Sequence, residues 1–110
     1  MKLPNGDRAV IPLAKLTRYL LSDRHPVGRH KARVLMALGF SPAEPGLLQR
    51  ELLRIAREST VSGTEDNAYG RKYLVPGTLA GPSGSREVST VWFVANGTDT
   101  PTLVTVLPRL

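Results

Sequence analysis

The chain changes its apolar period once, near residue 60, and that switch limits what it can fold into. Before it, apolar residues recur every three or four positions, the spacing of one helix face; after it they alternate, as in a strand with one buried face. From Pro12 to about Leu21 the stripe is Leu13, Leu16 and Leu20, with Lys15 and Arg18 off it and Pro12 suited to a first helical turn. Arg29 to Leu38 reads as a second helix stopped by Gly39. Ser41-Pro42-Ala43-Glu44 has capping-box spacing, Pro45 and Gly46 delay regular helix, and a third helix follows with the stripe Leu48, Leu52, Ile55, ending near Ser59.

Ahead of these helices, the turn Pro4 to Asp7 leads into a short strand, Arg8 to Ile11. Val61 to Ala68 reads as a polar loop. Extended segments then run over Arg71 to Val75 and Thr78 to Ala80, and Pro76-Gly77 between them predicts an edge strand or a bulge. After the turn Gly81-Pro82-Ser83-Gly84 comes the strongest strand, Arg86 to Val94, with Val88, Thr90, Trp92 and Val94 on one face; Leu103 to Leu107 is the last. The expected fold is α+β, with three N-terminal helices packed on one face of a three- to four-stranded antiparallel sheet and the other face free for a ligand.

At 110 residues the chain suits a single domain, 1–110, large enough to bury its own core. It has no cysteine, which excludes disulfides and thiolate chemistry and suits a reducing compartment. With no apolar run of membrane-spanning length and no signal-peptide pattern at MKLPNGDRAV, a soluble cytoplasmic protein with no membrane partner is expected. The net charge of +6 is unevenly placed: residues 1–60 hold 11 Lys and Arg against 5 Asp and Glu, and residues 61–110 hold 4 against 4. Such a patch attracts polyanions, nucleic acid or an acidic protein, although a solvated basic helix face has the same composition.

The segment HPVGRHKAR, His25 to Arg33, carries the chemistry. Basic residues at a helix N-terminus oppose the macrodipole, and an anionic ligand reverses that sign. Free backbone donors there, with Arg29 and Lys31, can form a phosphate site. Helical spacing puts Lys31 with Val34, Leu35 and Leu38, on the packing face, so it either snorkels past the core or serves a site at the sheet edge. His30 is the candidate general acid or base. Arg24, His25, Arg29 and Arg33 are candidates for holding a nucleic-acid backbone. In the sheet half, Arg71, Lys72, Arg86, Trp92 and Thr105 are placed on the uncovered face, Arg86 as a phosphate ligand and Lys72 as a nucleic-acid contact; Trp92 and Thr105 equally suit packing. Asp23, His25 and His30 straddle a helix start and do not make a metal site, so neither metal nor other cofactor is expected.

The stretches MKLPNGDRAVIP, HPVGRHKARV, YGRKYLV, GPSG, VWFV and PTLVTVLP together resemble the bacterial family called domain of unknown function 6883 and cover most of the chain. The layout is also similar to the wider superfamily of barnase, EndoU, the colicin nucleases and RelE. That resemblance implies a toxin-like, metal-independent endoribonuclease in which helix-borne His30 or Lys31 and sheet-borne Arg86 or Thr105 surround the scissile phosphate. Its partners would be RNA and an acidic antitoxin or immunity protein. The paired histidines of EndoU and a barnase-like glutamate have no counterpart here. The alternative is a non-catalytic basic module that binds nucleic acid or an acidic protein.

Overall fold

Residues 1–22 and 29–109 are described in this computed structural model. After a 3-10 turn, Gly6–Arg8, helix α1 (Leu13–Lys15) runs on as a π-helical turn, Leu16–Leu20; α2 spans Arg29–Ala37 and α3 Pro45–Glu58. Four strands follow, β1 (Gly63–Asn67), β2 (Gly70–Gly81), β3 (Gly84–Ala95) and β4 (Thr102–Pro108), forming one antiparallel sheet whose spatial order is the chain order. The fold is therefore α+β, helices first and a four-stranded meander after.

The helices form where the apolar stripes lie, with local corrections. In the π-helical turn the Leu21 amide bonds back to the Leu16 carbonyl at 2.9 Å, a five-residue step. This wider turn buries Leu16, Leu20 and Leu21 together and leaves Leu13, expected on the stripe, exposed. Helix α2 ends in a Schellman motif: Phe40 N–H reaches Leu35 O at 3.3 Å, Gly39 N–H reaches Met36 O at 2.9 Å, and Gly39 holds φ 98°. The capping box expected at Ser41 does not form. Ser41 Oγ instead accepts from the Ala43 amide, and α3 starts later with Pro45 in its first turn. Leu48, Leu52, Ile55 and Ala56 are its buried stripe.

In the sheet, Tyr73, Val75, Gly77 and Leu79 of β2 pair with Trp92, Thr90, Val88 and Arg86 of β3, so these eight share the core face. A Cβ on Gly77 would come within 2.9 Å of Ile55, which shows how closely α3 lies on β2. Trp92 is fully buried there; its Nε1–H donates to Thr90 Oγ1, which donates to Val75 O, both at 2.7 Å. The expectation of Trp92 on the open face is thus corrected, because period-2 alternation from Val88 carries it inward.

Two further corrections concern strands, and the edge expected at Pro76 is found. Gly63–Asn67, read as part of a polar loop, is strand β1, held by its ladder to β2 with hardly any buried surface of its own. Arg8 to Ile11 forms only an isolated bridge, Val10 to Thr102. Pro76 lies inside one continuous strand; β1 pairs β2 only from Gly70 to Leu74, so the proline stands where that side of β2 is already an edge. In β4 the register slips: Val91 faces Thr105 but Trp92 faces Leu103, so Val104 is one additional residue, with Leu103 and Val106 buried on either side of the bulge.

Candidate functional site

Helix α2, the π-helical turn and β4 meet at Lys31. Its Nζ donates to Tyr19 Oη and to Thr105 Oγ1, each at 2.9 Å, and those two hydroxyls are 3.4 Å apart. Lys31 reaches them because it sits one turn before buried Leu35 and two before Leu38, on the side of α2 that faces the body of the protein. Thr105 is presented at the sheet edge beside the β4 bulge, a device that re-aims side chains. Tyr19 comes from the widened turn. Its ring also has Lys15 Nζ and Lys31 Nζ each 5.3 Å from the centroid, within cation–π range.

The hydrogen bond from Lys31, and next that with Thr105, hold the Tyr19 phenol below the usual tyrosine range against the opposing effect of burial. Ion pairs lie elsewhere: Arg8–Asp99, Arg54–Glu51, Arg57–Glu58, Arg71–Asp66 and Arg109–Glu87. Among the described residues none joins Lys15, Arg18, Lys31 or Arg33 to an acid. Among the described residues the cluster is a cationic centre with no ion-paired acid, carrying two hydroxyls at its tip, able to hold an oxyanion by charge and by hydrogen bonds together. No group of three His, Cys, Asp or Glu residues close enough to hold a metal ion occurs among the described residues.

The residues singled out from the sequence are only partly gathered here. Lys31 and Thr105 touch. His30 is exposed in the first turn of α2, about 100° around the helix from Lys31. Arg33 is exposed on the same helix. Arg24 and His25 lie outside the described residues, as does the side chain of Arg29, which opens α2. Arg86, expected on the open face, is on the core face, five positions along β3 from Val91 and so roughly 17 Å from the Thr105 row; its Nη2 donates to Arg109 O at 3.4 Å. Arg71 shares that face and pairs with Asp66. Lys72 is half-buried on the opposite face, across from Glu65. Tyr19 was not singled out: the only signal for it was its spacing of four from Lys15, and nothing in the sequence marks the π-helical turn that delivers it.

Fold and site together define a small α+β protein with a lysine held between two hydroxyls at a sheet edge. The chain belongs to the family named domain of unknown function (DUF6883), which it matches over residues 2–110. It is also similar in fold to a chain of a solved structure, a contact-dependent growth inhibition toxin–immunity protein complex from Klebsiella pneumoniae 342. The TM-score is 0.74 at 16% identity, covering 92% of this chain and 100% of that one. No curated protein matches the sequence. Among the described residues no helix is long and apolar enough to cross a membrane.

Proposed function

We propose that this chain is a toxin-like endoribonuclease that cleaves RNA phosphodiesters without a metal ion, with Lys31, Tyr19 and Thr105 at the scissile phosphate. The observation that carries the reading is the convergence of Lys31 Nζ on two hydroxyls at 2.9 Å, away from any carboxylate among the described residues. In this reading Lys31 and Thr105 donate to the non-bridging oxygens as charge builds on them. In its phenolate form, which the hydrogen bond from Lys31 favours, Tyr19 takes the proton of the ribose 2′-hydroxyl as that oxygen attacks phosphorus. The 5′-oxygen leaves with a proton supplied by His30 from the adjoining side of α2, and the upstream product ends in a 2′,3′-cyclic phosphate. Arg24, His25, Arg29 and Arg33 would hold flanking phosphates, and Arg86, on the other face, takes no part. In this reading substrate approaches from the sheet face opposite the core, which Thr105 shares with its partner Val91.

The test is incubation of the purified protein with mixed RNA in excess chelator, beside Lys31→Ala, Tyr19→Phe and Thr105→Val. Cyclic-phosphate ends made by the native protein and lost by at least about a hundredfold in Lys31→Ala are expected. Intact RNA at high protein concentration would leave the second reading, a non-catalytic basic module bound by an acidic protein. That reading is favoured by one observation, the likeness to a chain solved within a toxin–immunity complex. Saturable binding of such a partner, undiminished by Tyr19→Phe and with no cleavage, would establish it.

A further inference from the structure

We infer that the sheet face opposite the core seats an unpaired nucleobase next to the phosphate held at Lys31 and Thr105, so that the substrate is single-stranded. This rests on the reading of that cluster as a phosphate site. Register gives the path: Thr105 pairs with Val91, Val91 with Leu74 and Leu74 with Gly63, one row across all four strands, roughly 14 Å long at the spacing of a sheet. The middle of the row, Val91 and Leu74, with Phe93 and Leu107 beside it, is apolar where the outer face of an antiparallel sheet ordinarily turns polar residues to water, and Thr105, Ser89 and Lys72 flank it. Leu74 is 39% and Leu107 41% exposed, and on β3 between them half-buried Phe93 and largely buried Val91, 7% exposed, lie on the same face.

At the end of the row away from Thr105 is a hollow of about 180 Å3 lined by Gly63, Thr64, Glu65, Lys72 and Leu74. It is open at position 63, where a Cβ would meet nothing within 4 Å. Glu65 and Lys72 are cross-strand partners at its rim, one an acceptor and one a donor. Cationic charge, a flat apolar strip and a donor–acceptor pair thus succeed one another across the sheet. They match a phosphate, the face of a base and the edge of that base. A duplex buries the faces of its bases in its own stack, so only an unpaired base can lie on the strip. An acidic peptide would satisfy the cationic end but brings no ring for the strip.

The native protein, labelled on its Leu and Val methyl groups and on its backbone amides, is titrated with a single-stranded RNA oligomer carrying 2′-O-methyl on every ribose, which cannot be cleaved, and separately with inorganic phosphate. Expected is that both shift amide resonances at Lys31 and Thr105, while only the oligomer shifts the Leu74 and Val91 methyls. Gly63→Val fills the hollow with a residue that strands favour, so it should weaken oligomer binding about tenfold while leaving phosphate binding and melting temperature unchanged. Oligomer binding that leaves the Leu74 and Val91 methyls unmoved, or full affinity in Gly63→Val, overturns the inference alone. No shift at Lys31 or Thr105 with either ligand sinks the phosphate-site reading itself. Methyl shifts caused by a protein partner and not by the oligomer would reassign the strip to that partner.

Discussion

Tyr19, Lys31 and Thr90 show how much a single side chain decides in this protein. Removing the Lys31 ammonium takes away the main cause of the low Tyr19 phenol, so in Lys31→Ala that phenol should titrate closer to the ordinary value of about 10. Ultraviolet absorbance followed through the alkaline range, with Tyr19→Phe to assign the transition, measures this; an unchanged curve would mean that Lys31 does not act on Tyr19. Thr90 is the one buried polar side chain among the described core residues, and its hydroxyl serves both Trp92 Nε1 and Val75 O. Thr90→Val strands that donor and acceptor in the core and should cost about 1–3 kcal/mol, read by thermal or urea unfolding.

Between elements, the clearest fastening is that of α3 to β2. Glu51 Oε1 accepts the Ala80 amide at 2.9 Å and Arg54 Nη2 donates to Thr78 O at 2.7 Å, while the two side chains pair with each other. The Arg54 hydrogen bond, with the Ala80 amide, holds the Glu51 carboxyl below its ordinary value. Because the folded pKa lies below the unfolded one, the stabilisation is complete above the unfolded value and is lost as pH falls through the folded one. The melting-temperature gap between native protein and Glu51→Gln should therefore be largest above about pH 5 and close as the medium turns acidic. Gly39→Ala forces a side chain into φ 98° and against Ser83 N at 2.9 Å, and should destabilise by more than about 1 kcal/mol on the same assay.

The same scale shows what sequence can and cannot disclose. The helix stripes of α2 and α3 and the alternation of β3 were legible because burial follows period. Strand β1 was not, because GTEDN owes its extended state to the ladder offered by β2 and not to any apolar face. Lys31 and Thr105 could each be picked out, one from its place on a packing face and the other as a candidate for the uncovered sheet face that the superfamily resemblance also favoured. Their contact could not, since it depends on a π-helical turn and a bulge that no residue pattern announces. Arg86 was misplaced for the opposite reason: its chemistry suited the site, but its parity on β3 sends it to the other face.

At the scale of the whole molecule, the charge distribution sets the association behaviour. Lys15, Arg18, Lys31 and Arg33 carry no described ion pair and sit on the elements around the site. If these four neutralise phosphates of a single strand, log K should fall with log salt at a slope of about −3, and Arg33→Ala should reduce the slope by about 0.7. Fluorescence anisotropy of labelled RNA over a salt series measures both, and a flat series would exclude a polyanion as ligand.

The extra residue in β4 has a consequence for length as well as shape. Without Val104 the strand would read Leu103, Thr105, Val106, the plain inward, outward, inward sequence that the core asks for. The chain therefore carries one amino acid that packing does not require. A loss of that single codon is the kind of change that folding tolerates, because every apolar contact can be remade in a straighter strand, while the aim of Thr105 toward Lys31 is surrendered. Length variants of β4 that melt cooperatively yet lack the Lys31–Thr105 contact would mark the bulge as a feature kept for position and not for stability.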